Sequence, residues 1–242
     1  MWTVALALLP PLLASFILSR FPAFRIATVA VLSAVLAEMG MRKLFGRQAH
    51  LYDGSAVVTA LLLALLLPSS LPSWMVAVAS FFAIAVGREI FGGLGQYPFH
   101  PALLGAAFIL ACFPSTGHFF ASSFEPTAST VYGLSIFAGG MILLLKRLIS
   151  WEIPLLYLGS LFVFSSALGA SGGEILLSGS VLLAAFFLVT DPVTTPLTRR
   201  GVRWFAVGAG VLTAAFREWL TSTEGVIYGI LLMNSLNPWF DR

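Results

Sequence analysis

Hydrophobic residues occur in ten runs along the chain, and prolines, glycines or charged residues separate one run from the next. This pattern predicts helical segments near 2–18, 24–41, 55–67, 74–91, 101–113, 131–147, 153–169, 174–190, 203–219 and 225–239. Several segments are shorter than the ~20 residues that an upright transmembrane helix needs. The two shortest, 55–67 and 101–113, indicate half-helices or deeply buried spans. Membrane proteins tolerate such broken helices where they line a cavity or a bound group.

The composition is that of a protein embedded in a lipid bilayer. Of the 242 residues, 59% are hydrophobic and 10% are charged, and the mean hydropathy is +0.97. A soluble domain of this length could not bury so much apolar surface, so we expect a single all-α integral membrane domain over 1–242. The net charge of +3 is small, and nucleic acid is not an expected partner. One cysteine cannot form an internal disulfide or hold an iron–sulfur cluster, and no histidine spacing suggests a metal site.

The basic residues predict the orientation of the segments. If the N-terminus is cytoplasmic, most of these residues fall on the inner side, as the positive-inside rule requires. The inner set comprises Arg42, Lys43, Arg47, Lys146, Arg147, Arg199, Arg200, Arg203 and Arg242, whereas Arg20, Arg25 and Arg217 lie near the outer side. Both termini are therefore predicted to be cytoplasmic.

An internal repeat is visible in the sequence. Gly54–Ser55 opens the third segment and Gly179–Ser180 has the matching place in the eighth, while Arg88–Glu89 and Arg217–Glu218 end the fourth and ninth segments. The first five segments start inside and the last five start outside. We therefore predict two inverted five-helix repeats, with sites at the interface between them. The repeats cover about 1–114 and 131–242, and an outer loop covers 115–130.

The run from Gly92 to Pro101 links the fourth and fifth segments and is the clearest candidate for a binding site. Gly93 and Gly95 permit close backbone approach, and the prolines fix the chain near a helix start. The helix that begins at Pro101 offers free N–H groups to an anion or a carbonyl, and His100 could contact the same group. The alternative is a rigid loop that only turns the chain.

Several acidic residues lie within or at the ends of hydrophobic segments, where a charge is costly unless it is paired or solvated. Glu38 in the second segment is a candidate ion or proton ligand. Asp191 at the end of the eighth segment could contact a cation or a flavin N–H, or it could be a solvated residue paired with arginines. Asp241, at the inner end of the tenth segment, is a candidate ion or proton ligand, and the alternative is an exposed acid near the chain terminus. Arg88 and Glu89 are helix neighbours, so their side chains should point apart and not pair, and both could reach the membrane surface.

Four blocks of sequence resemble a known family. They are DGSAVVTALLLALLLP, GREIFGGLGQYPFHPALLG, LLSGSVLLAAFFLVTDPVTTP and EGVIYGILLMNSLNPWFD, which occur in that order between Asp53 and Asp241. They are similar to the RnfD membrane protein of the Rnf electron-transport complex and to the NqrB protein of the sodium-translocating NADH:quinone reductase. The resemblance implies a fold related to urea and ammonium channels. It also implies flavin-mediated electron transfer across the membrane, coupled to the movement of Na⁺ or H⁺.

The same resemblance implies two kinds of flavin. The family attaches FMN to a threonine through a phosphodiester on the outer side, and the nearest match is Thr127–Thr130, with Thr130 as the acceptor and Ala128 in place of the family's glycine. A noncovalent flavin such as riboflavin is the other possibility. His100 stands where the family usually has Asn, and the acids of the C-terminal half correspond to Asp191 and Asp241.

These observations predict a flavin-holding subunit in the inner membrane of a bacterial cell. Without an NADH-binding motif or cluster ligands, the chain must exchange electrons with the other subunits of an Rnf- or Nqr-type complex, and it contains no complete catalytic site. The alternatives are a non-redox channel or small-solute transporter on the same fold, and a scaffold subunit that has lost its flavin.

Overall fold

The computed structural model of the chain describes residues 1–47, 53–114, 126–169 and 172–241, and the side chains of all of these except 126–129, 172 and 174. Throughout these ranges the regular structure is helical, and no strand occurs in them. The chain divides into two compact units, Met1–Ser123 and Phe124–Arg242. The boundary falls within the predicted outer loop, 115–130.

In the described residues of the first unit there are six α-helices. They are α1 (Trp2–Ala7), α2 (Leu9–Ser19), α3 (Phe21–Leu44), α4 (Ser55–Leu66), α5 (Ser73–Ile84) and α6 (Pro101–Cys112). A π-helical turn, Ala85–Glu89, extends the end of α5. Turns of this kind are rare in proteins, and many of those that occur lie at functional sites.

The sequence explains why α4 is a short helix. Gly54 precedes it with a φ of +69°, a conformation that side-chain-bearing residues rarely adopt, and Pro68 prevents its continuation. The chain that follows has carbonyl groups without helical partners. Arg25 of α3 donates from Nη2 to two of them, the carbonyls of Ser69 at 3.3 Å and Leu71 at 2.9 Å. The segment predicted at 55–67 is therefore a short helix, Ser55–Leu66.

The part of the second unit that the structure describes also has six α-helices. They are α7 (Pro126–Leu145), α8 (Glu152–Ala167), α9 (Gly172–Leu176), α10 (Gly179–Leu183), α11 (Arg199–Arg217) and α12 (Ser222–Phe240). A π-helical turn, Ala184–Leu188, extends α10. The start of α12 has a capping box, in which the Thr221 hydroxyl accepts from the Glu224 N–H and the Glu224 carboxylate accepts from the Thr221 N–H.

Similar helix packing occurs within each unit. In the first unit, α5 packs against α3 and α6, and α4 also packs against α6. In the second, α11 packs against α8 and α12, and α10 also packs against α12. Small residues allow these close contacts, since a Cβ on Gly105 of α6 would lie 2.6 Å from the carbonyl oxygen of Ala79 in α5. The same pattern of neighbouring helices therefore occurs in both units, and the inverted repeat stays a prediction.

Three predicted segments differ from the helices observed. The first splits at Leu8 into α1 and α2, because Pro10 and Pro11 lack the N–H groups that a continuous helix needs. The eighth is divided between α9 and α10. The sixth starts at Pro126, earlier than the predicted 131, since proline favours the first helical turn. Among the described helices, the stretch Trp2–Ser19 and α3 are long and apolar enough to cross a membrane.

Candidate functional site

A cluster of charged side chains is buried inside the first unit. It comprises Glu38 and Arg42 on α3, Asp53 before α4, and Arg88 and Glu89 on the π-helical turn, and we call it the buried charge cluster. The side chains of Glu38, Arg88 and Glu89 are 1–2% exposed, whereas that of Asp53 is 28% exposed. Buried charges are costly unless they pair and form hydrogen bonds, so the contacts within the cluster determine whether it is stable.

Arg88 lies at the centre of the buried charge cluster. Its Nη2 is 2.8 Å from Glu38 Oε1, and its Nη1 donates to the Ser55 hydroxyl at 2.8 Å. Its Nε and Nη2 both donate to Glu89 Oε1, at 3.1 and 2.9 Å. One guanidinium therefore joins α3, the start of α4 and the end of α5.

The expectation that Arg88 and Glu89 would not pair is wrong. Consecutive residues on an α-helix point apart, but here they lie on a π-helical turn, which has more residues per turn and reduces the angle between neighbouring side chains. Both side chains are also buried away from water. The long arginine side chain therefore folds back onto the adjacent carboxylate, and neither side chain extends to the surface of the protein.

Further contacts balance the remaining charges. Arg42 Nη2 lies 2.5 Å from Glu38 Oε1, and Arg42 Nε lies 3.7 Å from Glu89 Oε1. Asp53 Oδ1 accepts hydrogen bonds from the Ser55 N–H and hydroxyl at 2.9 and 2.8 Å. At the edge of the cluster, Arg47 Nη1 is 4.0 Å from Glu89 Oε2 and donates to the Glu89 carbonyl at 3.2 Å. When Arg47 is counted with the buried charge cluster, the cluster has as many carboxylates as guanidinium groups.

The glycine-rich run continues directly from the buried charge cluster. Gly92, Gly93 and Gly95 have φ values of +122°, +100° and +88°, and the Gly93 N–H donates to the Arg88 carbonyl at 3.1 Å. Glu89 Oε2 is buried without a hydrogen bond and lies 3.8 Å from the place where a side chain on Gly93 would begin. Among the described residues, no atom other than those of its chain neighbours lies within 4 Å of the corresponding position on Gly95. Gly93, one of the predicted loop residues, therefore lies next to the buried carboxylate of Glu89.

His100 lies at the end of the glycine-rich run, immediately before α6. It is buried, its backbone is extended, and its carbonyl accepts from the Leu104 N–H at 3.0 Å. The helix that was predicted to begin at Pro101 does so.

Asp191 and Asp241 both contact the segment that precedes α11. The Thr194 hydroxyl donates to Asp191 Oδ2 at 3.1 Å, and the Thr194 carbonyl accepts from the Asn237 amide. Asp241 Oδ1 accepts from the Leu197 and Thr198 N–H groups at 2.7 and 3.3 Å. Within the described ranges, no arginine or lysine nitrogen lies within 4.0 Å of the Asp191 carboxylate. It therefore does not pair with Arg199 or Arg200, the nearest arginines along the chain that the structure describes.

Thr130 lies within α7 and is exposed. It was expected to precede the sixth helix, but the earlier start at Pro126 makes it helical. The side chains of Thr127, Ala128 and Ser129, and the rest of the predicted outer loop from 115 to 125, lie outside what the structure describes.

Sequence reasoning missed the roles of Arg42, Asp53 and Ser55. A signal was present, since Glu38 and Arg42 stand four residues apart within a hydrophobic segment, a spacing at which helix side chains meet. Nothing in the sequence indicated that Ser55 would accept a hydrogen bond from Arg88, because the two residues are distant along the chain.

The chain is similar to known proteins along its whole length. The sequence model of the NQR2, RnfD, RnfE family matches residues 1–127 and 115–242. The D subunit of the Na⁺-translocating ferredoxin:NAD⁺ oxidoreductase complex of Acetobacterium woodii is 34% identical over 279 residues, covering 100% of this chain and 87% of that protein. The D subunit of the proton-translocating ferredoxin:NAD⁺ oxidoreductase complex of Clostridium ljungdahlii is 30% identical over 292 residues, covering 100% and 88%.

A third relative comes from Methanosarcina acetivorans. It is the D subunit of an ion-translocating oxidoreductase complex, and it is 32% identical over 253 residues, covering 99% of this chain and 88% of that protein. These alignments are longer than the 242 residues of the chain. The relatives therefore contain residues that this chain lacks.

Proposed function

Because this chain belongs to the NQR2, RnfD, RnfE family, we propose that it is the flavin-holding membrane subunit of an ion-translocating Rnf- or Nqr-type electron-transport complex. The observation that carries this proposal is the similarity over the whole chain to the D subunits of such complexes. Partner subunits of the same complex supply and accept the electrons. The bilayer is a bacterial inner membrane, with both termini of the chain in the cytoplasm.

The glycine-rich run fits a noncovalent flavin. Glu89 Oε2 is a buried acceptor without a hydrogen bond, and a flavin ring N–H is a donor that would satisfy it. Gly93 leaves space beside this oxygen, Gly95 has open space around it, and His100 lies where the run meets α6. A flavin supplies one- and two-electron redox chemistry, while the residues around it fix its position and electrostatic environment.

Thr130 fits a covalent FMN by its chemistry and exposure. Its hydroxyl can form the phosphodiester, and its exposed place on α7 would let a flavin transferase approach. On the proposed topology it lies on the outer side of the membrane. The two flavin sites are independent proposals, because each rests on different residues.

The candidate ion ligands have different surroundings. Glu38 contacts the guanidinium groups of Arg42 and Arg88, so it is better suited to holding or releasing a proton than to binding a metal ion. One carboxylate oxygen of Asp241 accepts two backbone N–H groups just before α11. Asp191 has no basic partner within 4.0 Å in the described ranges, which makes it the most suitable of the three for a cation.

Affinity purification from the native host tests the proposal. A tag on this chain should isolate other Rnf- or Nqr-type subunits, flavin, and ferredoxin- or NADH-dependent electron transfer. The complex reconstituted in vesicles should move Na⁺ or H⁺ during turnover. A chain that purifies alone, without flavin, and that conducts a small solute in vesicles would instead identify a channel.

A further inference from the structure

Three polar residues follow one face of α12 near its C-terminal end. Asn234, Asn237 and Asp241 are spaced by three and four residues, so they lie in line on the helix surface. Ile227 and Ile230, on the preceding turns, are fully buried. The polar line therefore runs from the end of the helix to Asn234, over roughly 10 Å at ~1.5 Å per residue, and stops at apolar residues.

Asn234 is the unusual member of this line. It is 2% exposed, yet neither its Oδ1 nor its Nδ2 has a hydrogen-bond partner in the described part of the chain. A buried polar group left without a partner costs about 1–3 kcal/mol, and native structures contain few of them. An amide in which donor and acceptor are both unused therefore requires an explanation, and a bound group that both accepts and donates would provide one.

The neighbouring polar atoms are mostly acceptors. Asn237 donates its amide to the Thr194 carbonyl, but its Oδ1 has no partner in the ranges that the structure describes. Thr194 in turn donates to Asp191 Oδ2, and no hydrogen bond to the other oxygen of this carboxylate is found in the same ranges. Oxygen atoms without donors, next to a carboxylate without a basic partner, favour a hard cation.

From these contacts we propose that Asn234 is the innermost ligand of a path for a hydrated monovalent cation, Na⁺ or hydronium. The path begins at Asp191 and Asp241 and follows α12 through Asn237. Asn234 Oδ1 coordinates the ion, and Nδ2 donates to one of the water molecules that accompany it, so both unused atoms have partners. The proposal rests on the proposed ion-translocating function and adds a ligand to it.

The test uses the assembled complex in vesicles and measures ion uptake during turnover. Asn234→Leu has similar volume but no polar atom, and the concentration of ion at half-maximal uptake should rise by tenfold or more. Asn234→Asp keeps the oxygen and adds a charge, so this concentration should fall. Ser235→Ala is the control, because Ser235 is exposed and donates only to the Leu232 carbonyl. A sodium titration at fixed pH and a pH titration at fixed sodium identify which ion responds.

Two outcomes would overturn the inference and leave the proposed function intact. One is an Asn234→Leu complex with wild-type flavin absorption, unchanged ion dependence and higher thermal stability, since removing an amide that has no ligand should stabilise the fold. The other is an Asn234→Asp complex with unchanged ion dependence. This second test can be made even if the leucine variant does not assemble. Wild-type complex that transfers electrons without moving any ion would refute both the inference and the ion-coupled function.

Discussion

Arg88 and Glu89 are consecutive in the chain, yet they form a buried ion pair in which Glu89 Oε1 accepts from two nitrogens of Arg88. The π-helical turn makes this geometry possible. The backbone of the same turn also holds the start of the glycine-rich run, because the Arg88 carbonyl accepts from the Gly93 N–H. Packing, charge neutralisation and the position of the candidate flavin site thus depend on the same two residues.

The first prediction concerns the stability of the buried charge cluster. Arg88→Ala leaves Glu38 and Glu89 buried without their main partner, and breaking such a pair typically costs about 3–5 kcal/mol. The variant should assemble poorly, or its unfolding midpoint in detergent should fall by many degrees. Arg203→Ala is the matched control, since Arg203 and Glu152 form an exposed pair at 3.2 Å, and exposed pairs contribute about 0–1 kcal/mol.

A double variant separates charge from packing. Arg88→Met combined with Glu38→Gln removes one charge of each sign, so it should be more stable than Arg88→Met alone. If the double variant is no more stable than the single one, or if Arg88→Ala and Arg203→Ala have equal effects, the ion pairs are not what stabilises this region.

The second prediction concerns Gly95. Its φ of +88° is costly for a residue with a side chain, on the order of 1–2 kcal/mol, although nothing obstructs a Cβ at this position. Gly95→Val should lower the content of noncovalent flavin while the protein still inserts. Gly159→Val is the control, because its side chain also enters open space but Gly159 lies in a helix, where a side chain causes no such strain. Its flavin content should not change. Full flavin content in Gly95→Val would indicate a loop that only turns the chain.

The third prediction concerns Asp191. Asp191→Asn preserves size and can still accept from the Thr194 hydroxyl, but it removes the charge. We expect a change in the Na⁺ or pH dependence of turnover, with little loss of stability. In Asp241→Asn the remaining oxygen can still accept from the Leu197 N–H, so a smaller effect on ion dependence is expected. If turnover of Asp191→Asn has the same cation and pH dependence as the wild type, the Asp191 carboxylate has only a structural role in the turn where it lies.

The fourth prediction concerns orientation in the membrane. In a Cys112→Ser background, a cysteine at Thr130 should react with a membrane-impermeant reagent from the periplasmic side, because this residue is exposed and predicted to be outside. A cysteine at Arg200, also exposed, should react only after the membrane is opened. The reverse pattern would invert the topology and remove Thr130 from the reach of an outer flavin transferase.

Hydrophobic patterning predicted the helical class and most of the helix positions, because runs of apolar residues between prolines and glycines determine where helices start and stop. It predicted the short α4 as the hydrophobic run at 55–67. It did not predict the division of the first segment at Leu8, where the tandem prolines were treated as part of one run. Nor did it predict the division of the eighth segment, where the extended backbone of Ser178 separates α9 from α10.

The candidate site was harder to predict because its contacts join distant residues. Glu38, Gly93 and His100 could be selected from unusual residue types in hydrophobic surroundings. The hydrogen bond from Arg88 to Ser55 and the unpaired amide of Asn234 depend on tertiary packing, which a single sequence does not reveal. The π-helical turn was not foreseen either, and this is why the Arg88–Glu89 pair was missed.

The visible absorption spectrum of the purified chain, recorded before and after denaturation and combined with its intact mass, tests the central claim most directly. A flavin-holding subunit predicts a flavin spectrum in the native protein. Covalent FMN should remain attached after denaturation, should add the mass of FMN less water, and should be absent from Thr130→Val. Noncovalent flavin should be released when the protein is denatured. Native protein that assembles with its partner subunits but shows no flavin of either kind would contradict the account.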